Sequence, residues 1–278
     1  MHFSRSKPEP SVLPKSTKAA FSFPSSGSEN GEGVMSQILL LHGFTSTPFE
    51  VRFFGEALAQ DGYGSFGPLL AGHGEEDPSE LGRVTWEEWM DQSRAAFTDL
   101  PVGLEKKQKR FVVGSSMGGL LALLLAAEFP VDGLILLSPA LLMTTPGEVG
   151  ALVMRSPFRK QMKVVEKKEH GGDIFDEEGK DSNPTYTQID PKGLHQMDLL
   201  RHVTMKHLPD VTCPLLIFQG AHDRTVAQRA VRVIGEKVQS DLVTTVFLPH
   251  SRHILGLDVE RDVILQNTRQ FVLDVENA

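Results

Sequence analysis

The sequence Gly114-Ser115-Ser116-Met117-Gly118 limits the folds open to this chain more than any other stretch. A strand-like segment, residues 110–113, precedes it, and a run that is apolar nearly all round follows it. This order predicts a buried strand, a tight turn and a buried helix. Glycines two positions before and after the central serine are needed where the strand and the helix meet too closely for a Cβ. The pattern predicts a nucleophile elbow that exposes the Ser116 hydroxyl, with a plain glycine turn as the alternative.

Strand-like and helical patterns alternate along most of the chain. The predicted strands are 36–41, 131–139, 214–220 and 243–248, and the predicted helices are 48–61, 84–100, 227–238 and 259–275. Short apolar runs bounded by loop residues are typical of strands that are buried on both faces of a parallel sheet. The sequence therefore predicts an α/β protein with a mostly parallel, doubly wound sheet.

The regular alternation breaks between residues 141 and 209, which mix charged, glycine-containing and helical segments. This break predicts a helical cap inserted into a core made of residues 35–140 and 210–278, and residues 171–184 within it are expected to be loop. A long crossover with additional surface helices is the alternative. Residues 1–34 are rich in Ser, Pro, Gly and charge. They are expected to form a flexible tail, or to be upstream sequence before a start at Met35.

Charge and cysteine content narrow the function classes. The net charge of -8 disfavours nucleic acid as a partner, because phosphate binding needs clustered Lys and Arg. The single cysteine, Cys213, excludes an internal disulfide and favours a reducing, cytoplasmic location. Its place before Pro214, at the start of an apolar run, favours core packing over a catalytic thiol. No apolar run reaches the ~20 residues of a membrane-spanning helix, and the oligomeric state is not predicted.

Three chemically complementary residues follow one another in the order Ser116, Asp223, His253. Asp223 comes just after a predicted strand, and His253 lies between the last strand and the last helix. A serine hydroxyl needs a base to become nucleophilic, and a histidine can take its proton and return it to a leaving alcohol. An aspartate fixes the tautomer of that histidine. The chain order is the one expected when these groups converge at one edge of a sheet.

Other residues compete for these roles. His250 is the alternative base, and Asp258 and Asp241 are the alternative acids. Asp258 is expected instead to support the N-terminus of the last helix. His73 and His222 are not expected to take part in the chemistry.

Two backbone amides are candidates for an oxyanion hole. One is the amide of Phe44, which follows a His-Gly pair after an early strand, and the other is the amide of Met117. Leu141, Met143 and Met154 are candidates for the wall of an acyl pocket, although any cap needs such residues for its own packing. No metal site is expected.

Five segments together resemble the motifs of the α/β-hydrolase superfamily, and most closely its bacterial carboxylesterase and monoacylglycerol lipase group. They are residues 42–45, 72–74, 114–119, 220–223 and 251–253. The resemblance runs from about Gln37 to the C-terminus. It implies an α/β-hydrolase fold with a cap over the site, hydrolysis of carboxylic esters with short to medium acyl chains, and no cofactor. It also assigns the two amides named above to the oxyanion hole.

The expected function is that of a serine carboxylesterase that forms an acyl-enzyme, with a small-molecule ester or monoacylglycerol as substrate. The alternatives are a monoacylglycerol lipase, or thioester hydrolysis, C–C bond hydrolysis or perhydrolysis on the same triad. Dehalogenase and epoxide hydrolase chemistry are disfavoured because they need a carboxylate at the position of Ser116. A non-catalytic ligand-binding protein of the same fold is a further alternative, which the complete triad disfavours.

Overall fold

A computed structural model describes residues 18–25, 36–101, 108–155, 164–167 and 170–278. The strands are β1 (Phe21–Phe23), β2 (Gln37–Leu41), β3 (Gly64–Gly67), β4 (Arg110–Ser115), β5 (Gly133–Leu137), β6 (Val165–Glu166), β7 (Gln188–Ile189), β8 (Leu215–Gly220) and β9 (Val243–Leu248). The helices are α1 (Phe49–Gln60), α2 (Trp86–Thr98), α3 (Met117–Glu128), α4 (Thr145–Arg155), α5 (Glu177–Ser182), α6 (Pro191–His207), α7 (Arg229–Lys237) and α8 (Arg261–Asn277).

Seven strands form one sheet in the order β1-β3-β2-β4-β5-β8-β9. Every neighbouring pair is parallel except β1 and β3, which are antiparallel. The parallel pairs are joined through helices, as such crossovers require. The strands place their carboxyl ends at one edge of the sheet, where an open α/β sheet binds its ligands. The predicted mostly parallel α/β sheet is confirmed.

The central strands are buried on both faces. Along β2, Leu39 and Leu41 belong to one apolar cluster, whereas Ile38 and Leu40 belong to a second cluster on the opposite face. Successive side chains of a strand point to opposite faces, so each cluster packs against its own layer of helices. This arrangement explains why the central strands are continuous apolar runs rather than alternating ones.

The start of α2 is set by hydrogen bonds between residues that are close in sequence. The Thr85 side chain accepts a hydrogen bond from the amide of Glu88, and the Glu88 carboxylate accepts one from the amide of Thr85. A threonine followed three residues later by a glutamate is the sequence pattern of a capping box, and this capping box starts α2. The last helix starts at Arg261, two residues after its predicted start.

The expectation of a flexible tail over residues 1–34 is wrong for β1. Phe21 is 5% exposed and pairs with Gly67 at the edge of the sheet. Its ring fills space that a side chain at Gly55 or Gly67 would occupy, since a Cβ there would lie 2.5 or 2.4 Å from ring atoms. The guanidinium of Arg52 lies 5.6 Å from the ring centroid. Residues 1–17 and 26–35 lie outside the described part of the chain.

The described residues between β5 and β8 contain α4, α5, α6 and the antiparallel pair β6–β7. Residues 171–184, predicted as loop, include the short helix α5. Arg201 of α6 is 6% exposed and binds the carboxylates of Glu148 and Asp198 and the carbonyl of Leu141. These contacts tie α4 and α6 to the end of β5. No helix in the described residues has the length and apolar character needed to cross a membrane.

We expect Phe21→Ala to lower the free energy of unfolding by about 3 kcal/mol, because it removes a buried ring that neighbouring glycines cannot replace. Urea denaturation followed by circular dichroism measures the change. Ser22→Ala is the matched control, since Ser22 points to solvent and should change stability by no more than about 0.5 kcal/mol. Equal midpoints for Phe21→Ala and wild type would show that β1 adds nothing to the sheet.

Candidate active site

Ser116 stands between β4 and α3 with φ 51° and ψ -109°, a conformation that L residues rarely adopt. The backbone around it is closely packed. A Cβ at Gly114 would lie 2.3 Å from the carbonyl oxygen of Gly118, and a Cβ at Gly118 would lie 2.1 Å from that of Leu41. The glycines of the motif therefore allow the end of β2, the end of β4 and the start of α3 to meet at one point.

The structure brings Ser116, His253 and Asp223 into one chain of hydrogen bonds. His253 Nε2 lies 2.9 Å from Ser116 Oγ, and His253 Nδ1 lies 2.9 Å from Asp223 Oδ2. The carboxylate of Asp223 can only accept, so Nδ1 carries a proton and Nε2 is left to accept the hydroxyl proton of Ser116. The competing residues His250 and Asp241 are exposed and lie outside this chain of contacts.

The loop after β8 holds Asp223 in place. Its Oδ1 accepts hydrogen bonds from the amides of Thr225 and Val226 at 2.9 and 2.8 Å, and its Oδ2 also accepts one from Gln219 Nε2 at 2.8 Å. The side chain of Asp223 has no exposed surface. Its orientation is fixed before any ligand binds, as a residue that orients a histidine requires.

Charge around the pair favours the ion-paired form. Burial acts to raise the pKa of Asp223, but the attraction of His253 and the hydrogen bonds to the carboxylate outweigh burial and lower that pKa. Burial acts to lower the pKa of His253, but Asp223 above all, with Asp173 and Glu50, outweighs it and raises that pKa. The site thereby stabilises an imidazolium, the form that appears when His253 takes a proton.

The predicted oxyanion amides belong to segments that meet at Ser116. A Cβ at Gly43, beside Phe44, would lie 3.3 Å from the Cβ of Ser116, and Met117 is the next residue of the chain. Among the described residues, no acceptor binds the amide of Phe44 or of Met117. Met117 also begins α3, so the positive end of the helix dipole lies beside the serine.

A buried carboxylate that the sequence reasoning missed lies under these amides. Glu50, 2% exposed, accepts hydrogen bonds from the hydroxyl of Ser115 and, at 3.4 Å, from the amide of Gly43. It links the loop after β2 to the elbow. One signal was present: Glu50 precedes Phe54 and Leu58 by four and eight residues, so it lies on the buried face of α1.

Two buried histidines near this loop have structural contacts. His42 Nε2 accepts a hydrogen bond from the amide of Leu70, and its Nδ1 lies 2.9 Å from the carbonyl of Gly43. His73 packs edge-on against the rings of His42 and Phe44. Burial lowers the pKa of both histidines, so they are neutral rings that support the loop.

A buried amine from the segment between β5 and β8 also contacts the loop after β2. Lys167 Nζ lies 2.5 Å from Thr45 Oγ1 and 2.7 Å from Thr185 Oγ1. Burial lowers the pKa of Lys167 to about 8, although the charge of Glu50 opposes this shift. Lys167 thus holds Thr45, which has φ 66°, against the segment between β5 and β8.

Asp258 has a different role from the one predicted. Its buried carboxylate accepts hydrogen bonds from the amides of Phe175, Asp176, Arg252 and Val259, at 2.8 to 3.1 Å. It does not cap the last helix, whose N-cap is Glu260. The prediction was wrong because two of its partners lie between β5 and β8, about 80 residues earlier in the chain.

The predicted acyl-wall residues follow the carboxyl end of β5. Leu141 is 1% exposed, and Met143 is partly buried and pairs with Val226 beside the Asp223 loop. The side chain of Met154 lies outside the described part of the structure. The described residues contain no group of three or more His, Cys, Asp or Glu side chains placed to hold a metal ion. The contacts among Ser116, His253 and Asp223 can deliver an activated hydroxyl to an electrophilic carbon, beside the donor amides of Phe44 and Met117.

Comparisons with known proteins give a consistent relationship. A family model described as serine aminopeptidase, S33, matches residues 34–260. The chain is 28% identical over 235 residues to a thermostable monoacylglycerol lipase of Bacillus sp. (strain H-257), covering 84% of this chain and 89% of that protein. It is 26% identical over 237 residues to a carboxylesterase of Bacillus subtilis (strain 168), covering 84% of this chain and 91% of that protein.

Solved structures agree on the fold. A structure from work on the metagenome-derived lipolytic enzymes LipS and LipT is 25% identical, with a TM-score of 0.76, over 93% of this chain and 98% of that one. The monoacylglycerol lipase of Paleococcus ferrophilus is 18% identical, with a TM-score of 0.70, over 93% of this chain and 98% of that one. These similarities confirm the predicted α/β-hydrolase fold.

We expect Gly118→Ala to prevent folding or to lower the thermal midpoint sharply, because the new Cβ would meet the backbone of β2, which cannot move aside as a side chain can. Soluble yield and thermal melting measure this effect. Gly150→Ala is the matched control, because a Cβ there meets nothing within 4 Å. The same change in α4 should leave stability unchanged or raise it by up to about 1 kcal/mol. Normal folding of Gly118→Ala would contradict the packing described for the elbow.

Proposed function

The chain belongs to the hydrolase family described as serine aminopeptidase, S33, and we propose that it is a serine carboxylesterase for esters with short to medium acyl chains. The observation that carries this proposal is the chain of contacts from Ser116 through His253 to Asp223. The family description names a peptidase, whereas the two curated relatives are named for ester hydrolysis. Both reactions transfer an acyl group to a serine, and the relatives favour the ester as substrate.

In the proposed acylation, Ser116 Oγ attacks the ester carbonyl carbon while His253 Nε2 takes the hydroxyl proton. The carbonyl oxygen becomes negatively charged and accepts hydrogen bonds from the amides of Phe44 and Met117. Asp223 stabilises the imidazolium form of His253. The tetrahedral intermediate then breaks its bond to the alcohol oxygen. The alcohol leaves with the proton that His253 held, and the acyl group stays on Ser116.

Deacylation repeats these steps with water. His253 takes a proton from the water as the water oxygen attacks the acyl carbon, and the same two amides bind the second oxyanion. The bond to Ser116 Oγ then breaks, and Oγ takes the proton from His253. The carboxylic acid leaves and Ser116 is restored, so no cofactor is needed for the atoms and charges to balance.

We assign the cap role to residues 141–209 and the core role to residues 35–140 and 210–278. The acyl chain in this proposal packs against Met143, which follows β5 and pairs with Val226 beside the Asp223 loop, and Leu141 supports this wall from within the core. Each buried methylene of the chain contributes about 0.8 kcal/mol until the apolar wall ends. This limit is the reason to expect a preference for short to medium chains.

Monoacylglycerol hydrolysis is the second candidate. It rests on the 28% identity to the Bacillus monoacylglycerol lipase over most of both chains. The mechanism would be unchanged, and only the leaving alcohol would differ.

We expect Ser116→Ala and His253→Ala each to lower kcat for p-nitrophenyl butyrate by a factor on the order of 10⁶, because the two groups act as a unit. A stopped or continuous assay of p-nitrophenol release measures the rate. His250→Ala is the matched control, since His250 is exposed and near in sequence, and should keep wild-type kcat. A Ser116→Ala variant as active as the wild type would refute the proposal.

Profiling of acyl chains and leaving groups separates the two candidates. We expect kcat/KM for p-nitrophenyl esters to rise from acetate towards octanoate and to gain nothing further towards palmitate, because a chain longer than the wall gains no further burial. Monoacylglycerols of the same acyl chains are the comparison, assayed by glycerol release. A kcat/KM for monoacylglycerols well above that for simple alkyl esters of the same chain would favour the lipase.

A further inference from the structure

One residue of the segment between β5 and β8 binds both loops that carry the imidazole and its carboxylate. Asp173 Oδ2 accepts a hydrogen bond at 2.9 Å from the amide of Arg224, the residue after Asp223. The carbonyl oxygen of Asp173 accepts hydrogen bonds from the amides of His253 and Ile254, at 3.1 and 3.2 Å. The side chain therefore fixes one loop and the backbone fixes the other.

Arg252 supports Asp173 from the side of the His253 loop. Its Nε lies 3.8 Å from Asp173 Oδ1, and both side chains are largely buried, at 14% and 11% exposed. The guanidinium also lies 4.1 Å from the centroid of the Phe175 ring and donates to the carbonyl of Ile174 at 3.3 Å.

Asp258 fixes the same segment through the backbone. As described above, its carboxylate accepts from the amides of Phe175 and Asp176 on one side and of Arg252 on the other. Residues 173–176 are thus held against the His253 loop by contacts independent of the Asp173 carboxylate. These contacts fix the position of the Asp173 carboxylate beside the amide of Arg224.

We propose that Asp173 is a positioning residue, which holds the Asp223 loop and the His253 loop at the separation that the chain of contacts to Ser116 requires. This inference rests on the proposed function for its kinetic consequence. Sequence motifs alone would not reveal this role, because Asp173 precedes Arg224 by 51 residues and lies outside the motifs that contain Ser116, Asp223 and His253.

The expected loss on removing Asp173 is partial. The two loops also meet directly, because the amide of His222 donates to the carbonyl of Ser251 at 3.1 Å. Thr144 also donates hydrogen bonds to the carbonyls of Arg224 and Thr225. Without the Asp173 carboxylate the Asp223 loop keeps these contacts but loses the one that ties it to residue 173. A misplacement of about 1 Å in a catalytic group can cost 10²-fold, so we expect a 10- to 100-fold fall in kcat for Asp173→Ala. KM should change little, because Asp173 does not contact the substrate in this proposal.

The negative charge of Asp173 gives a second measurable effect, a shift in the pKa of His253. The charged groups that face His253 are the carboxylates of Asp223, Asp173 and Glu50, and they raise its pKa against the effect of burial. Arg252 lies beside Asp173 and partly offsets its charge. Asp173→Asn keeps an oxygen that can accept from Arg224 but removes the negative charge, so the pKa of His253 should fall. Because the base must be neutral, the acid limb of the kcat/KM profile should move to lower pH.

The experiment compares wild type, Asp173→Ala, Asp173→Asn and Asp181→Asn in p-nitrophenyl butyrate hydrolysis between pH 5 and 9. Asp181 is an exposed acid eight residues later and is the matched control. Thermal melting establishes folding of each variant, and NMR titration of the His253 imidazole measures its pKa without reference to catalysis. We expect Asp173→Ala to lose kcat, Asp173→Asn to recover most of it above pH 8, and only the two Asp173 variants to shift the titration of His253.

Unchanged kcat in a folded Asp173→Ala variant, or an unchanged His253 titration in Asp173→Asn, would overturn the proposal. If Asp173→Ala does not fold, the Asn variant decides, since it keeps the acceptor. If the wild type hydrolyses no ester, the proposed function fails, and the NMR titration alone decides whether Asp173 acts on His253.

Discussion

The approach of three backbone segments at the elbow is the constraint on which the rest of the site depends. Gly118 lies against the end of β2, and the amide of Ser116 donates to the carbonyl of Leu137 in β5. Three non-glycine residues with positive φ, Thr45, Ser116 and Ser138, follow the carboxyl ends of β2, β4 and β5. Such conformations cost about 1–3 kcal/mol each and persist only where the surrounding structure holds them. The packed sheet supplies that support and so exposes one hydroxyl at a fixed place.

Buried carboxylates then shape the electrostatics around the single imidazole. Asp223, Asp173 and Glu50 all raise the pKa of His253, and each of them accepts at least one hydrogen bond from a backbone amide. Hydrogen bonds from backbone amides lower the free-energy cost of burying a carboxylate. The negative charge therefore remains available to stabilise the imidazolium, and the same amides fix the loops that carry the carboxylates. Positioning and electrostatics are two effects of one set of hydrogen bonds.

The sequence was sufficient to predict the features that depend on residues close together in the chain. The elbow, the capping box of α2 and the central strands follow from patterns within a few positions, and the chain order located the three residues now seen in contact. It was not sufficient for contacts between distant segments. Phe21–Phe23 is too short to read as a strand within a polar stretch, and its pairing with β3 spans more than 40 residues. Asp258 was misassigned because two of its four partners, Phe175 and Asp176, lie between β5 and β8.

The segment between β5 and β8 therefore helps to support the site. Lys167 contacts Thr45 on the loop of one predicted oxyanion amide, and Asp173 contacts the loops of Asp223 and His253. The same stretch of chain also begins with Leu141 and Met143, which we assign to the acyl wall. A displacement of this segment during substrate entry would move binding groups and supporting groups together. Substitutions in it must then be judged by kcat and KM separately, since a change in kcat/KM alone does not show which of the two roles was lost.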